Sequence, residues 1–266
     1  MRCGMARFSS LFSSSSGNCT YIGSSDGGVL IDAGVSAKRI TERLAEIDVS
    51  AAEIGAIFVT HEHSDHVNGL RVFAARNRIP VFATEGTAAQ LVKSGIADGS
   101  FQLNIMPEGG VECRGQHIEA FETSHDSAQS CGYTVMTSDD RKIAVATDTG
   151  IVTDTIKNAV AGCDLILAES NHDIGMLRNG SYPYMLKRRI LSDRGHLSNL
   201  ACSELVTELV ENGTTRIVLG HLSKENNLPE LAFQTTKSAL DIAGAVQFRD
   251  YILKVAGGPQ AETVVL

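Results

Sequence analysis

The sequence predicts an α+β protein in which β-sheets pack together with helices outside. Three observations carry that expectation. Short strand-like runs follow one another across turn residues, amphipathic helical patterns are interspersed among them, and the strict strand–helix alternation of a barrel is missing. The core can be large, because the 266 residues are 43% hydrophobic and 20% charged, with a mean hydropathy of +0.00. Length alone leaves one domain or two fused halves open.

The elements follow in order. Residues 6–12 read as a strand, and Ser13 to Ser16, closed by Gly17-Asn18, as a polar turn. Further short strands at 19–23 and 29–31 are punctuated by Ser24-Ser25-Asp26-Gly27-Gly28, giving a hairpin-rich opening. Ser36 then precedes a helix with Ile40, Leu44 and Ile47 on one face, and 56–60 is an apolar run of buried-strand type. Later strands are predicted at 80–83, 101–105, 117–122, 132–137, 142–146, 164–168 and 215–219. Helices are predicted at 67–76, 87–94, 153–161, 198–211 and 229–243, with Ser198 as an N-cap and Asn212-Gly213 as a stop.

With 23 basic against 31 acidic residues the net charge is −8, so any nucleic-acid contact must be local rather than drawn by an overall basic field. No window approaches about 18 apolar residues, and the start runs into serines where a secretory signal needs an apolar stretch. A cytoplasmic protein without membrane contact is expected. The cysteines (Cys3, Cys19, Cys113, Cys131, Cys163, Cys202) form no C-x-x-C pair and read as free, structural thiols.

The informative stretch is His61-Glu-His-Ser-Asp-His66, directly after a buried strand. Four of its six side chains can bind metal, and such a hexapeptide arises by chance on the order of a few times in ten thousand. Alternation along extended chain lets His61 and His63 share one ion. Asp65 and His66, where the chain turns into a helix, can serve a second. One hexapeptide cannot close two shells, and His125, Asp148 and His221 each follow a predicted strand. A single such residue in a loop is unremarkable. Three at strand C-terminal ends, after the hexapeptide, point to a metal centre.

This order of residues, with Val29-Leu-Ile-Asp-Ala-Gly34 ahead of it, resembles the ligand motifs of the metallo-β-lactamase superfamily over essentially the whole chain. The resemblance implies an αββα sandwich of two mixed sheets flanked by helices. It implies His61, His63 and His125 at one metal, Asp65, His66 and His221 at the other, Asp148 bridging, and Asp32 as a buried supporting residue. Ser13-Ser-Ser-Ser-Gly-Asn18, Gly195-His-Leu-Ser-Asn199 and Gly220-His-Leu-Ser-Lys-Glu-Asn-Asn227 are similar more narrowly to the YycJ (VicX, WalJ) group. That group implies a phosphodiesterase or DNA exonuclease related to the ribonuclease Z and J branches. Only 72 residues separate Asp148 from His221, too few for the β-CASP insertion of ribonuclease J, so one domain over 1–266 is expected.

Nitrogen and carboxylate ligands without thiolate suit two divalent ions, with Zn²⁺ first and Mn²⁺ or Fe tolerated. A hydroxide bridging such a pair can attack a phosphoryl group without a serine or cysteine nucleophile. Catalysis is expected to rest on Asp65, also a ligand, and on His196, a non-ligand acid just before a capped helix that protonates the leaving oxygen. His172 is open between structural and substrate-facing roles, and His117 reads as a surface strand residue. Phosphate contacts are expected from Ser14, Ser15, Ser16 and Asn18 of the serine turn, from Arg194, and from Lys224 and Asn227 beyond His221. Lys187-Arg188-Arg189 is the densest basic run. The leading expectation is a nuclease acting on nucleic acid with phosphate ends, with no protein partner inferable. The alternative is a thioester, ester or cyclic phosphodiester hydrolase of the glyoxalase II type, for which the serine turn and basic run would serve no purpose.

Overall fold

The structure is a computed structural model that describes residues 5–24, 26–258 and 261–266, so Cys3 and Ser25 lie outside the described residues. Two seven-stranded sheets make up its centre. The first contains β1 (Arg7–Ser14), β2 (Gly17–Ser24), β3 (Gly27–Ile31), β4 (Ile54–Phe58), β5 (Val81–Ala83) and β6 (Leu103–Ile105). The second contains β7 (Val111–Cys113), β8 (Gln116–Glu122), β9 (Cys131–Met136), β10 (Lys142–Ala146), β11 (Leu165–Glu169), β12 (Arg216–Gly220) and β13 (Ile252–Val255). The last strand, β14 (Glu262–Val265), returns to the first sheet beside β1, with Phe8 opposite Val264. Both sheets are mixed: antiparallel at the β1–β3 and β7–β10 ends, parallel from β3 to β6 and from β10 to β13.

Alternation along the strands builds four layers. In β11, Leu165 and Leu167 face the other sheet, while Ile166 and Ala168 face helices α8 (Asn199–Glu211) and α9 (Pro229–Ile242). In β3, Val29 and Ile31 face inward, and Leu30 packs with Ile40 and Leu44 of α1 (Ala37–Glu46). Phe58 stacks on Phe82 at 5.2 Å and meets Tyr133 edge-on at 5.6 Å, and the Tyr133 hydroxyl donates to Val59 O at 2.8 Å, tying the two sheets. This is the αββα sandwich the resemblance implied.

The predicted elements recur with shifts of a few residues at their ends, and three differences have physical causes. The helix expected at 67–76 is split into α2 (Ser64–Val67) and α3 (Leu70–Asn77). Gly69 sits between them and donates to Ala33 O at 2.9 Å, so close to α1 that a Cβ would fall 1.9 Å from Val35 O. Ser13 and Ser14 belong to β1 rather than to a turn, carried there by a bulge between Ser10 and Phe12. The strands β7, β13 and β14 and the helices α6 (Ile174–Asn179) and α7 (Tyr184–Ile190) had no predicted counterpart, being segments of three to seven residues, too short for a periodic pattern. The remaining helices, α4 (Glu85–Lys93) and α5 (Asp154–Val160), cover opposite faces.

Gly34 anchors the loop after β3 against the ligand hexapeptide. Its N–H donates to Asn18 O at 2.7 Å, and a Cβ there would lie 1.7 Å from Asp65 O. Gly34→Ala is predicted to destabilise the protein by about 1–3 kcal/mol through forced backbone displacement. Chemical denaturation with and without added Zn²⁺ should show a lower midpoint and a smaller metal-induced gain. An unchanged midpoint would mean that the contact is not enforced.

Candidate metal centre

The edge where the parallel strands of both sheets end carries the titratable residues. His61 follows β4, His63 caps α2, and His66 ends its first turn. From the other sheet His125 follows β8, Asp148 follows β10 and His221 follows β12. Asp32, Asp148 and His221 each have positive φ, at 64°, 56° and 55°. Left-handed backbone costs a non-glycine residue roughly 1–3 kcal/mol and persists where the surroundings over-determine it. Here it turns each side chain back over the sheet edge.

The donor atoms converge. His61, His63 and His125 present ligand atoms within 4.8 Å of one another, and so do Asp65, His66 and His221, while Asp148 forms such a group with His61 and His66. His66 Nε2 lies 3.2 Å from Asp148 Oδ2 and 3.5 Å from Asp65 Oδ2, and His221 Nε2 lies 3.5 Å from Asp65 Oδ2. His61 Nε2 and Asp148 Oδ2 are buried with no hydrogen-bond partner. Orphaned polar atoms in such a place are costly unless something else satisfies them, and a divalent cation would. The all-nitrogen and carboxylate donor set fits one, which supports divalent metal binding at this edge.

Partners on the far ring nitrogens aim the near ones. His66 Nδ1 donates to Asp32 Oδ2 at 2.7 Å, and Asp32 also accepts from Thr60 N at 2.8 Å and Thr60 Oγ1 at 2.9 Å. His125 Nδ1 donates to Gly195 O at 2.9 Å, and His221 Nδ1 to Glu169 Oε1 at 2.9 Å. Each bond leaves Nε2 for the centre. Glu169, fully buried at the end of β11, also accepts from His196 Nδ1 at 2.8 Å, Thr149 N at 2.9 Å and Leu197 N at 3.3 Å. Burial alone would raise its pKa, but His196 and His221 bring it down to about 2. Burial likewise opposes charge on Asp148, and the neighbouring His221 and His66 hold it well below the usual carboxylate range. Burial opposes protonation of His221, but Asp148 and the bonds to Asp65 and Glu169 override it and raise its pKa to about 10. Burial, reinforced by His66, keeps His61 neutral.

The other predicted residues divide into two sets. His196 lies at the rim, its side chain 16% exposed, with Nδ1 2.8 Å from Glu169 and 3.4 Å from Asp148. Ser14 and Ser16 join hydroxyls at 2.9 Å on the hairpin tip, where Ser15 and Lys224 are exposed. Asn18 is drawn inward instead, its Nδ2 3.1 Å from His66 Nε2 and 3.4 Å from Asp65 O, so it holds the hexapeptide. Asn227 is also buried, and its amide donates to Ser170 O, Asn171 O and Asn199 Oδ1, which fills its donor capacity. The Arg194 guanidinium donates to His125 O at 3.0 Å, and thereby fixes a ligand loop.

Two members of the basic run are similarly engaged. Lys187 caps the carbonyls of Arg178 and Gly180, and Arg189 is paired with Asp126. His117 sits between Glu112 and Glu119 on the surface, at 2.7 and 3.0 Å. His172 is buried with both ring nitrogens unpartnered, and burial lowers its pKa to about 4. Sequence reasoning left Glu169 without a role and passed over Thr60. The signal for Glu169 was its place beside a predicted strand end, like His125, Asp148 and His221.

Asp32→Asn keeps a residue that tolerates the left-handed backbone but removes the charge that orients His66. It is predicted to weaken metal binding by about 10–100-fold in competition with a chromophoric chelator. An unchanged affinity would remove Asp32 from the ligand-orienting network. Metal affinity of the native protein should rise with pH and level off only near pH 10, because a cation at His221 must displace the ring proton that Asp148, Asp65 and Glu169 retain there up to about that pH. A flat titration by the same chelator assay would contradict this.

Comparison with known proteins places this geometry in a family. Residues 28–222 match the family model described as the beta-lactamase superfamily domain. The chain is 42% identical over 252 residues to the exodeoxyribonuclease WalJ of Streptococcus pneumoniae strain D39, covering 92% of this chain and 93% of the relative. It is 38% identical over 241 residues to the exodeoxyribonuclease YycJ of Bacillus anthracis, covering 89% and 90%. In fold it is similar to the metallo-beta-lactamase fold protein YhfI of Bacillus subtilis, with a TM-score of 0.73 at 13% identity over 98% of this chain and 100% of that one. The strand-end histidines and aspartates therefore belong to a chain of the metallo-β-lactamase superfamily, in the group that contains WalJ and YycJ.

Proposed function

We propose that the chain is a dinuclear metal-dependent phosphodiesterase acting as a nuclease on DNA ends, built as one metallo-β-lactamase-fold domain without a β-CASP insertion. The observation that carries the reading is the buried His/Asp cluster with a carboxylate-held imidazole, His196, at its rim. His61, His63 and His125 would hold one ion, Asp65, His66 and His221 the other, and Asp148 would serve both. Zn²⁺ suits these donors first, and Mn²⁺ or Fe fits as well. When bound, such ions supply Lewis acidity toward a phosphoryl group and a water acidic enough to attack it near neutral pH.

The protein's own groups do the rest. Burial disfavours protonation of His196, but Glu169 and Asp148 override it and raise its pKa, which keeps a proton available on the ring near neutrality. With Nδ1 engaged by Glu169, Nε2 is the nitrogen left to protonate a departing oxygen. DNA as substrate is supported by the names of the two curated relatives, which also disfavour the thioester or cyclic phosphodiester alternative. The described cysteines are all free, which suits a reducing, cytoplasmic compartment, and no described helix is long and apolar enough to cross a membrane.

The reading is tested by metal-dependent turnover of 5′-phosphorylated single- and double-stranded DNA, RNA, bis(p-nitrophenyl) phosphate and S-lactoylglutathione. DNA should rank first, and a preference for the thioester would overturn it. His221→Ala should lose metal together with turnover. His196→Ala should keep its metal and lose about 10²–10⁴ in kcat on DNA, with a smaller loss on bis(p-nitrophenyl) phosphate, whose leaving group needs little protonation. Metal loss in His196→Ala would reverse the assignment of ligand and acid.

A further inference from the structure

A hollow of about 190 Å³ lies beyond the serine hairpin from the metal centre, between the β1–β2 tip, α1 and the loop after His221. Phe12, Ser14, Ser16, Arg39, Arg43 and Lys224 are among its walls. The guanidinium carbons of Arg39 and Arg43 sit 4.6 and 5.0 Å from the centroid of the Phe12 ring. Stacking of this kind fixes an otherwise mobile cation while its N–H edges can still meet an anion. Arg43 is in addition paired with Glu46 at 2.8 Å, so Arg39 and Lys224 carry the positive balance of the wall.

The hollow is joined to the catalytic edge by covalent and hydrogen-bonded links. Ser13 Oγ, on the hairpin, accepts from His221 N at 2.8 Å, and Ser14 forms a β-bridge with Leu222. Gly17, also in the wall, immediately precedes the Asn18 that touches His66 and Asp65. Three cations and three serines thus collect beside the centre of a chain whose net charge is −8. In the basic run ahead of His196, by contrast, Lys187, Arg189 and Arg194 are held by carbonyls and by Asp126.

We propose that this hollow is a phosphate subsite that grips a backbone phosphodiester of the substrate strand beyond the scissile one. It rests on the nuclease reading and adds the route of the strand: over the serine hairpin toward α1. Arginine edges and hydroxyls recognise a phosphodiester. The one aromatic ring among the residues lining the hollow, Phe12, packs against the hydrophobic core and has both guanidinium groups over it, so it is not an open platform for a base. The grip is accordingly independent of sequence.

The test uses the metal-loaded protein and a short phosphorothioate single strand that resists hydrolysis, followed by fluorescence anisotropy at several salt concentrations. Arg39→Glu should weaken binding about tenfold and lower the steepness of log K against log salt by about 0.7 for each phosphate that the variant no longer neutralises, while Arg39→Lys keeps most of both. On cleavable DNA, Arg39→Glu should raise KM with kcat little changed, and turnover of bis(p-nitrophenyl) phosphate, too small to reach the hollow, should be unaffected. Equal affinity and slope in wild type and Arg39→Glu, with DNA cleavage intact, would overturn the subsite and leave the nuclease reading standing. Failure of the wild type to cleave DNA while it hydrolyses bis(p-nitrophenyl) phosphate would overturn the nuclease reading and the subsite with it.

Discussion

Asp148 and Glu169 are carboxylates removed almost entirely from water, and they stay ionised because imidazoles surround them. An isolated buried carboxylate would take up a proton instead. Asp148 lies within 3.2–3.8 Å of nitrogens on His66, His196, His221 and His125. Glu169 clamps two of those same rings, His196 and His221, from behind. Removing any one member leaves the others with buried charge that is poorly compensated, so the cluster stands as a unit. A divalent cation held by these residues would supply the positive charge that protonated imidazoles otherwise provide.

The sandwich exists in a form that can hold that cluster. Parallel strands from both sheets end at one edge, and the residues just past their ends lie in loops freed from the sheet ladder. Positive φ at Asp32, Asp148 and His221 spends some stability to turn these side chains toward one another. The inter-sheet core, with Phe58, Tyr133 and Leu167, supplies the rigid support that keeps the strained turns in place. Close contacts at Gly34 and Gly69 do the same for the hexapeptide, where a side chain would strike the backbone of the opposing loop.

Much of this is legible in the sequence because the decisive residues are local. The hexapeptide from His61 to His66 announces itself, and the continuous apolar run 143–146 reads as a strand buried on both faces. What was not legible depends on long-range packing. Asn18 and Asn227 resemble surface polar residues, yet the first is folded against Asp65 and His66 and the second fills a buried amide network with Asn199. Lys187 and Arg189 read as a free basic run, but short-range carbonyls and Asp126 occupy them. Arg39 and Arg43 are spaced four apart on a helix and look like an ordinary solvated face. Only the placement of Phe12 from another element shows them gathered over one ring.

The proposed function places two metal ions sharing Asp148 at the strand-end cluster. Its most direct test is anomalous diffraction at the zinc absorption edge from crystals of the zinc-loaded protein. Two peaks are expected, one among His61, His63 and His125 and one among Asp65, His66 and His221, with Asp148 reaching both. A single peak, or a peak ligated by His196 in place of His221, would contradict it.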